Sequence, residues 1–370
     1  MDDRPGNAWP GKAGRGSARQ EAGDAMAETI AELAGRLIGS DAGGWSQDGA
    51  RALVAGLGWS WTDTAAGPVI GTGRATGEAR LRPVGSMEQR YAGGEAYVEL
   101  AVPVGPAEPD AASQAAAFRA AREELTAALG EASVIGVYGD VGPFYDSGQL
   151  WGSPYLRWRD RPSMLELRAG RTGPELILQP SDPVENCFWR QGVGEEYSIT
   201  GFFGSRNDTS NVGLGFPGGW YARSWETVTG ALADFLDTLP AEMAALGTSV
   251  SMPFYGQLAK GGAPILFGVN CGERLSLCCF DEDIDGAALG WGTVAEHPAT
   301  RSAWPEDDDP RWRFDAGGPG EPSGRALAEM LVASARAVGV ATPADLVLGG
   351  EAEYLGPYHV TFYGLGLKTG

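Results

Sequence analysis

Three aspartates and a glycine in the stretch CCFDEDIDGAALGW have the spacing of a calcium-binding loop. Asp281, Asp283 and Asp285 stand where such a loop places its first three oxygen ligands, and Gly286 stands at its tight turn. An EF-hand loop also needs a bidentate glutamate at its twelfth position, which is Gly292 in this chain. The preceding segment alternates like a strand, whereas an EF-hand loop follows a helix. The sequence therefore favours an acidic hairpin turn over a weak cation site, and it predicts no metal ligands.

The four cysteines also lack the spacing of a metal site. Zinc sites use paired cysteines two to four residues apart, but six residues separate Cys271 from Cys278. Cys278 and Cys279 are adjacent in a predicted strand, so their side chains point to opposite faces. We interpret these thiols, together with Cys187, as buried packing residues.

No catalytic constellation is visible among the remaining residues. A Ser-His-Asp or Cys-His mechanism needs a histidine beside a nucleophile, and the chain contains only His297 and His359, without a G-x-S-x-G motif. The glycine-rich stretches GVGEEY and GFPGGW match neither the phosphate-binding loop nor the dinucleotide fingerprint. The sequence thus predicts neither catalytic residues nor cofactor-binding residues, although paired carboxylates could still perform acid–base chemistry.

The charge of the chain restricts its partners. Among 370 residues, 48 are Asp or Glu and 28 are Lys or Arg, which gives a formal net charge of -20. Nucleic acids and anionic membranes are bound through clustered Lys and Arg, so neither is an expected partner. An acidic surface either promotes solubility alone or attracts a basic protein. Because the sequence contains no secretory signal and no 18-residue apolar run, we expect the cytoplasm as its location.

The hydrophobic patterns predict an α+β fold. Amphipathic periodicity marks five helices, the fourth of them ending at Pro240, and runs such as EAYVELAVPV and PELILQP have the length and composition of strands. We expect two tandem domains, each with an antiparallel sheet covered by helices on one face. The expected division is a disordered leader at 1–25, an N-terminal domain at 26–192 and a C-terminal domain at 193–370.

Aromatic residues and arginines are concentrated around the expected domain junction. Core packing accounts for most such residues, but Trp, Tyr and Arg also dominate protein–protein hot spots. Dense acidic stretches form a second kind of candidate surface, because exposed charge steers association. The candidate protein-binding residues are Trp151, Tyr155, Arg157, Trp158, Trp189, Trp220, Asp281, Asp283, Asp285, Asp307, Asp308 and Asp309.

The first half of the chain resembles a group of actinobacterial domains of unknown function. The resemblance is carried by GWSW, AYVELAVPV, AFRAAREELTAALGEAS and the strand meander WGSPYLRWRDRPSMLELRAGRTGPELILQPSD, and it covers about residues 45–182. Those domains are linked to immunity or accessory proteins of polymorphic toxin systems. The resemblance implies an immunity or accessory factor, and it transfers no catalytic residue. Together with the acidic charge and the lack of a catalytic constellation, it predicts a non-catalytic protein that occludes a basic partner such as a toxin. The alternative is a hydrolase-type enzyme that uses carboxylates in a cleft between the domains.

The missing twelfth-position carboxylate leads to a first prediction. Calcium should bind to the Asp281–Asp285 segment no more tightly than millimolar, since three aspartates without a bidentate glutamate form an incomplete coordination shell. Calorimetric titration of the full chain measures this directly. Micromolar binding that Asp283→Ala abolishes would contradict the prediction.

Overall fold

The computed structural model describes most of the chain in several stretches. These are residues 28–65, 67–86, 88–138, 153–171, 173–185, 201–208, 221–256, 265–281, 283–293, 310–316, 319 and 324–370. No helix within these stretches is long and apolar enough to cross a membrane.

Several helices begin after capping residues, two of which, Ser46 and Ser224, the sequence predicts. Ser46 and Ser224 accept hydrogen bonds from backbone N–H groups in the first turns of their helices, and Asp110 does the same for the helix between them. The helices are α1 Ile30–Ile38, α2 Gln47–Gly56, α3 Ala111–Leu129, α4 Trp225–Leu246, α5 Gly286–Leu289 and α6 Gly324–Ala337.

The expected end of α4 at Pro240 is wrong. The helix continues through the proline to Leu246 and stops at Gly247, whose φ of 58° places it in the left-handed region. A proline inside a helix loses one hydrogen bond, yet the residues beyond it, including Met243 and Leu246, are completely buried. Burial of this last apolar turn offsets the lost bond, so packing decides where the helix ends.

The described residues include eighteen strands, which form two sheets. In the first half of the chain they are β1 Ser60–Thr64, β2 Gly67–Gly71, β3 Ala79–Pro83, β4 Tyr97–Pro103, β5 Val134–Val137, β6 Pro154–Trp158, β7 Ser163–Ala169 and β8 Pro174–Pro180. In the second half they are β9 Phe202–Arg206, β10 Val250–Gly256, β11 Ile265–Cys271, β12 Leu275–Cys279, β13 Gly292–Thr293, β14 Trp312–Asp315, β15 Leu346–Leu348, β16 Tyr354–Leu355, β17 Tyr358–Thr361 and β18 Lys368–Thr369.

The larger sheet has eleven strands in the order β1-β2-β3-β4-β8-β7-β6-β5-β9-β17-β16, and every neighbouring pair is antiparallel. The smaller sheet has the order β13-β14-β12-β11-β10-β15-β18, and only its last pair, β15 with β18, is parallel. Two largely antiparallel sheets with packed helices confirm the expected α+β class.

The helices lie between the sheets and join them through a shared core. Helix α3 packs against β7 and β8 of the larger sheet, while α4 contacts α3, α6 and strands of both sheets. Buried side chains of both sheets belong to the same hydrophobic cluster, among them Leu167 of β7 and Leu277 of β12. The core is therefore continuous from one sheet to the other.

The larger sheet extends across the expected domain boundary at residue 193. Its strands β9, β17 and β16 come from the C-terminal part of the chain, and β9 pairs with β5 of the N-terminal part. The contact is close: a Cβ placed on Gly204 of β9 would lie 3.0 Å from Ile135 Cγ2 and 2.8 Å from Val360 Cγ2. The larger sheet therefore includes strands from both sides of the expected domain boundary, which lies between residues 192 and 193.

This shared sheet predicts coupled unfolding of the two halves. Ile135→Ala and Val360→Ala should each lower the free energy of unfolding, by about 2 to 4 and about 1 to 3 kcal/mol respectively, because each leaves a cavity beside Gly204. Both should shift the same urea transition, measured by tryptophan fluorescence and by far-UV circular dichroism.

The exposed neighbour Thr361 offers a control in the same strand as Val360. Thr361→Ala should move the transition far less than Val360→Ala does. Two separate transitions, with Ile135→Ala moving one and Val360→Ala the other, would contradict coupled unfolding and would support two folding units.

Candidate functional site

The central strands of the larger sheet are buried on both faces. Strand β4 was expected to be half-buried, but all its residues except Pro103 are buried. One face carries leucines that pack under the helices, such as Leu156, Leu165 and Leu178. The opposite face carries polar residues, because side chains alternate along each strand. Two candidate sites follow from this arrangement, a charged network on the polar face and a cleft at the edge of the helix-covered face.

Glu166 of β7 is the centre of the charged network. Strand register places it directly opposite Arg157 of β6. Its Oε2 accepts hydrogen bonds from Nε and Nη2 of Arg157 at 2.9 and 2.8 Å and from Gln179 Nε2 at 3.1 Å. Its Oε1 accepts from Arg168 Nε at 2.7 Å. Two arginines thus neutralise one carboxylate that has no exposed surface.

The network continues across the sheet to a second glutamate. Arg168 Nη1 donates to Glu99 Oε2 of β4 at 2.8 Å, and Arg82 Nε of β3 donates to the same oxygen at 3.3 Å. Arg82 is opposite Glu99 in the strand register. Charged side chains from four strands, β3, β4, β6 and β7, are therefore joined in one chain of ion pairs.

Tyrosines cover the other end of the network. Tyr138 OH accepts a hydrogen bond from Arg157 Nη2 at 2.7 Å and lies 3.3 Å from Glu166 Oε2. The rings of Tyr138 and Tyr155 stack with their centroids 4.2 Å apart. These rings belong to a small apolar cluster that also contains Tyr363 near the C terminus.

The electrostatics of the network keep Glu166 ionised. Burial alone would raise the pKa of its carboxyl group, but the charges of Arg168 and Arg157 and their hydrogen bonds hold this pKa below the ordinary value. Glu175 of β8 behaves differently, because burial raises its pKa and Arg80 only partly opposes that effect. Since donors occupy both oxygens of Glu166, its carboxylate is a structural anion rather than a free base.

The second feature is a cleft of about 270 Å³ at one end of β6–β8. Its floor is apolar, and the indole of Trp158 is fixed there by a hydrogen bond from Nε1 to the carbonyl of Gly130 at 2.9 Å. Ile38 at the end of α1 stands at the opening and is 45% exposed. The lining residues are Ile38, Leu129, Glu131, Ser133, Trp158, Arg159, Asp160, Ser163, Met164, Leu165, Leu178 and Arg206.

The rim of this cleft is acidic in its net charge. Arg159 is bonded through Nε and Nη2 to Glu185, at 2.5 and 3.1 Å, so its charge is neutralised. Arg206 Nη2 pairs with Asp208 at 2.9 Å. The exposed carboxylates of Glu131 and Asp160 form no ion pair within the described part of the chain. Two uncompensated negative charges therefore border an apolar floor.

The structure separates three neighbouring residues that the sequence grouped as one candidate protein-binding surface. Tyr155 and Arg157 have no exposed surface, so their assignment to a docking surface is wrong, and the alternative of core packing holds for both. They are buried because the polar face of the sheet is covered as completely as the apolar face. Trp158, whose side chain points to the other face, is 9% exposed and lies in the cleft.

The aspartates of the calcium-like loop have local backbone roles. Asp281 Oδ1 accepts from the backbone N–H of Asp283 at 2.9 Å, and Asp285 caps the short helix α5 by accepting from Ala288 N at 3.2 Å. No group of three His, Cys, Asp or Glu residues in the described stretches is arranged to hold a metal ion. Asp283 and Asp285 are exposed and stay available as a steering surface.

The remaining predictions concern cysteines and histidines, some of which lie outside the described residues. Cys271, Cys278 and Cys279 form no disulfide among the described residues and are buried, as their packing interpretation predicts. His359 is half-exposed and lies 3.5 Å from Glu353 Oε2. Several residues lie outside the described stretches, namely Trp151, Cys187, Trp189, Trp220, His297, Asp307, Asp308 and Asp309.

Sequence reasoning did not find Glu166, Arg168, Glu99 or Arg82. Their signal is present in ARLRP, LELRA and VELAV, where each charged residue stands between apolar residues such as leucine and valine. Alternation alone indicates a solvated face, and only the burial of that face turns these residues into a network.

Comparisons with protein-family models, with curated proteins and with solved structures found no match to this chain.

The network predicts a large and pH-dependent effect of Glu166→Gln. Removing this charge leaves Arg157 and Arg168 uncompensated in the interior, which should cost about 3 to 5 kcal/mol of unfolding free energy at pH 7. Because the pKa of Glu166 is lower in the folded chain than its ordinary 4.5, its stabilising contribution is complete above that pH and is lost as the pH falls further. The deficit of the variant should therefore shrink below pH 4.5.

The exposed pair of Arg325 and Glu329, an i,i+4 pair on α6, supplies the control. Glu329→Gln makes the same chemical change at the surface and should leave the urea midpoint nearly unchanged at every pH. Equal effects of Glu166→Gln and Glu329→Gln would show that the buried network does not stabilise the fold.

Proposed function

We propose that this protein is a non-catalytic factor that binds a basic protein, and that the acid-rimmed cleft at Trp158 receives a lysine or arginine side chain of that partner. The observation that carries the proposal is the pairing of an apolar floor with two uncompensated carboxylates, those of Glu131 and Asp160. Long basic side chains bury their alkyl stems on apolar surface and keep the charged group among acids. The lining of the cleft offers both environments.

The size of the cleft supports a side-chain anchor over a substrate pocket. Its volume of about 270 Å³ is below the ~300–1,000 Å³ that enclose small-molecule ligands. A hot spot of an interface, by contrast, is a single anchoring residue in a small desolvated pocket. The net charge of -20 would add long-range attraction to a basic partner.

An immunity or accessory role in a toxin system remains the specific form of this proposal. It rests on the resemblance of residues 45–182 to actinobacterial domains of that kind. It also rests on the net negative charge of the chain, which complements a basic toxin. Under this proposal the protein occludes its partner in the cytoplasm. An adjacent gene for a secreted toxin would support it.

The alternative of a carboxylate-dependent hydrolase has one observation in its favour. The pKa of Glu166 is lowered while that of Glu175 is raised, and opposed shifts are a mark of acid–base pairs. Each of these carboxylates is, however, in contact with an arginine, and Glu166 is saturated with donors. The binding proposal uses Glu131 and Asp160, whose carboxylates are exposed and form no ion pair among the described residues, so it fits the geometry better.

Photo-crosslinking tests the location of the interface. A benzoylphenylalanine introduced at Ile38, beside the cleft, should crosslink a basic protein from the source cell. The same residue at Tyr354, which is 64% exposed at the edge of the larger sheet, should not crosslink it. Crosslinking at both positions, or of acidic proteins at Ile38, would contradict the proposed interface.

Association kinetics then test the role of the rim. With the crosslinked partner purified, Glu131→Gln combined with Asp160→Asn should lower the association rate about two- to fivefold for each charge at low salt. The difference should fade as salt rises, because exposed charges are screened within about 8 Å at physiological ionic strength.

Asp283→Asn is the matched control, since it removes an exposed negative charge from the acidic turn before α5. It should have the smaller effect if the cleft is the binding site. A larger effect of Asp283→Asn would assign the interface to that turn. An association rate that does not change with salt would show that charge does not steer the association.

A further inference from the structure

Two helices end at the cleft beside Trp158. Ile38 is the last residue of α1 and Leu129 is the last residue of α3, and both line the cleft. The C-terminal end of a helix carries the equivalent of about half a negative charge, because its last carbonyl groups lack partners within the helix. These two ends add to the carboxylates of Glu131 and Asp160. The cleft therefore attracts a cation through its walls as well as through its rim.

The chain itself contains a cationic segment. Residues 12–19, with the sequence KAGRGSAR, include Lys12, Arg15 and Arg19 and no acid. No other stretch of eight residues in the sequence has three basic residues without an acid. In a chain whose formal net charge is -20, this basic segment 12–19 is therefore the part whose charge best complements the cleft.

The start of the described chain fixes the point from which this segment extends. Residues 1–27 lie outside the described stretches, and Glu28 is the first residue after them. The carboxylate of Glu28 forms ion pairs with Arg36, in the last turn of α1, and with Arg74. Residue 28 is thus tied to the same helix whose end lies at the cleft.

The chain before Glu28 is long enough to reach the cleft. Ile38 is at most about 21 Å from Glu28, since α1 rises about 1.5 Å per residue and only two residues lead into it. Arg19 lies nine residues before Glu28, a length that spans up to about 30 Å when extended. The two other basic residues of the segment are farther from Glu28 along the chain and have a longer reach. All three basic side chains can therefore meet the acidic rim of their own molecule.

We propose that the basic segment 12–19 occupies the cleft of its own chain and places one basic side chain against Glu131 and Asp160. This contact rests on the proposed function, because it uses the same cleft and the same recognition of a basic side chain. Covalent attachment presents the segment to the cleft at an effective concentration on the order of millimolar. A partner must displace it, so the contact excludes weakly bound basic proteins and admits those that bind the cleft more tightly.

Photo-crosslinking of the purified full chain, with no other protein present, tests the contact. Benzoylphenylalanine in place of Ile38 should form a bond to the basic segment, which mass spectrometry of the digested chain locates. The same probe in place of Tyr354, which is exposed at the edge of the larger sheet, should not react with the segment. A mixture of isotopically light and heavy chains shows whether the bond forms within one molecule.

Charge variants of the segment show whether its basic side chains make the contact. Lys12→Gln with Arg15→Gln and Arg19→Gln should lower the crosslinking yield about fivefold or more. Lys12→Arg with Arg15→Lys and Arg19→Lys keeps every charge and should retain most of the yield.

The cleft is tested from its own side in the same assay. Glu131→Gln combined with Asp160→Asn should lower the yield about two- to fivefold for each charge. Acetyl-argininamide, a small probe with one basic side chain, should displace the segment. It should lower the yield more than sodium chloride does at the same ionic strength.

Three results would overturn the proposal. The probe at Ile38 could fail to react with the segment, and capture of a basic protein by the same probe would then leave the proposed function intact. The yield could be the same in the glutamine variant, which would mean a contact without ionic recognition. Light and heavy chains could be joined to each other, which would place the segment in the cleft of a second molecule. A bond to the segment without capture of any basic protein would instead support the contact and contradict the proposed partner.

Discussion

The neutralisation of Glu166 by Arg157 and Arg168 is the interaction on which the larger sheet depends. Each of these side chains is almost completely removed from solvent, and a buried charge is tolerated only when partners and hydrogen bonds replace its hydration. The sheet can therefore be covered on both faces only if these residues meet. Strand register brings them together, and a shift of one residue would move the charges into the leucine layer under the helices. The network thus fixes the alignment of β6 and β7 as strictly as the apolar core does.

The same network connects segments on both sides of the expected boundary between residues 192 and 193. Strand β5 pairs with β6, the strand of Arg157, on one side and with β9 on the other. Tyr363, close to the C terminus, packs on the tyrosines that cover Arg157. Segments more than 200 residues apart thereby complete one interior, and the core shared by both sheets adds to this connection. The larger sheet therefore contains pairings between strands that lie far apart in sequence, such as β5 with β9, and pairings of this kind slow folding.

Local signals in the sequence were sufficient to predict the class of fold and the positions of most helices. The caps Ser46 and Ser224 and the alternation of β4 and β12 depend on neighbouring residues, and such signals can be read without tertiary information. The continuation of α4 through Pro240 could not be read in this way, because it depends on apolar partners from distant elements. Nor could the burial of Arg157, since an arginine in an alternating strand has the same local pattern in solvent and in a covered sheet. The candidate sites were predicted least well for this reason: Trp158 reaches the cleft, whereas its neighbours Tyr155 and Arg157 are buried in the network.

Charges at the surface of this protein and charges inside its larger sheet meet different physical conditions. Exposed carboxylates are solvated and screened, so the net charge of -20 destabilises the fold little at any one residue. The same charge produces a negative potential around the protein that attracts cations. Inside the sheet the screening is weak, so each buried charge needs a partner at close range, and Glu166 has two in Arg157 and Arg168. The carboxylates of Glu131 and Asp160 stay exposed to solvent, where a long basic side chain can reach them while its alkyl stem covers apolar surface. The covered sheet keeps these two environments apart, so the groups that stabilise the scaffold do not compete for the surface proposed to bind a partner.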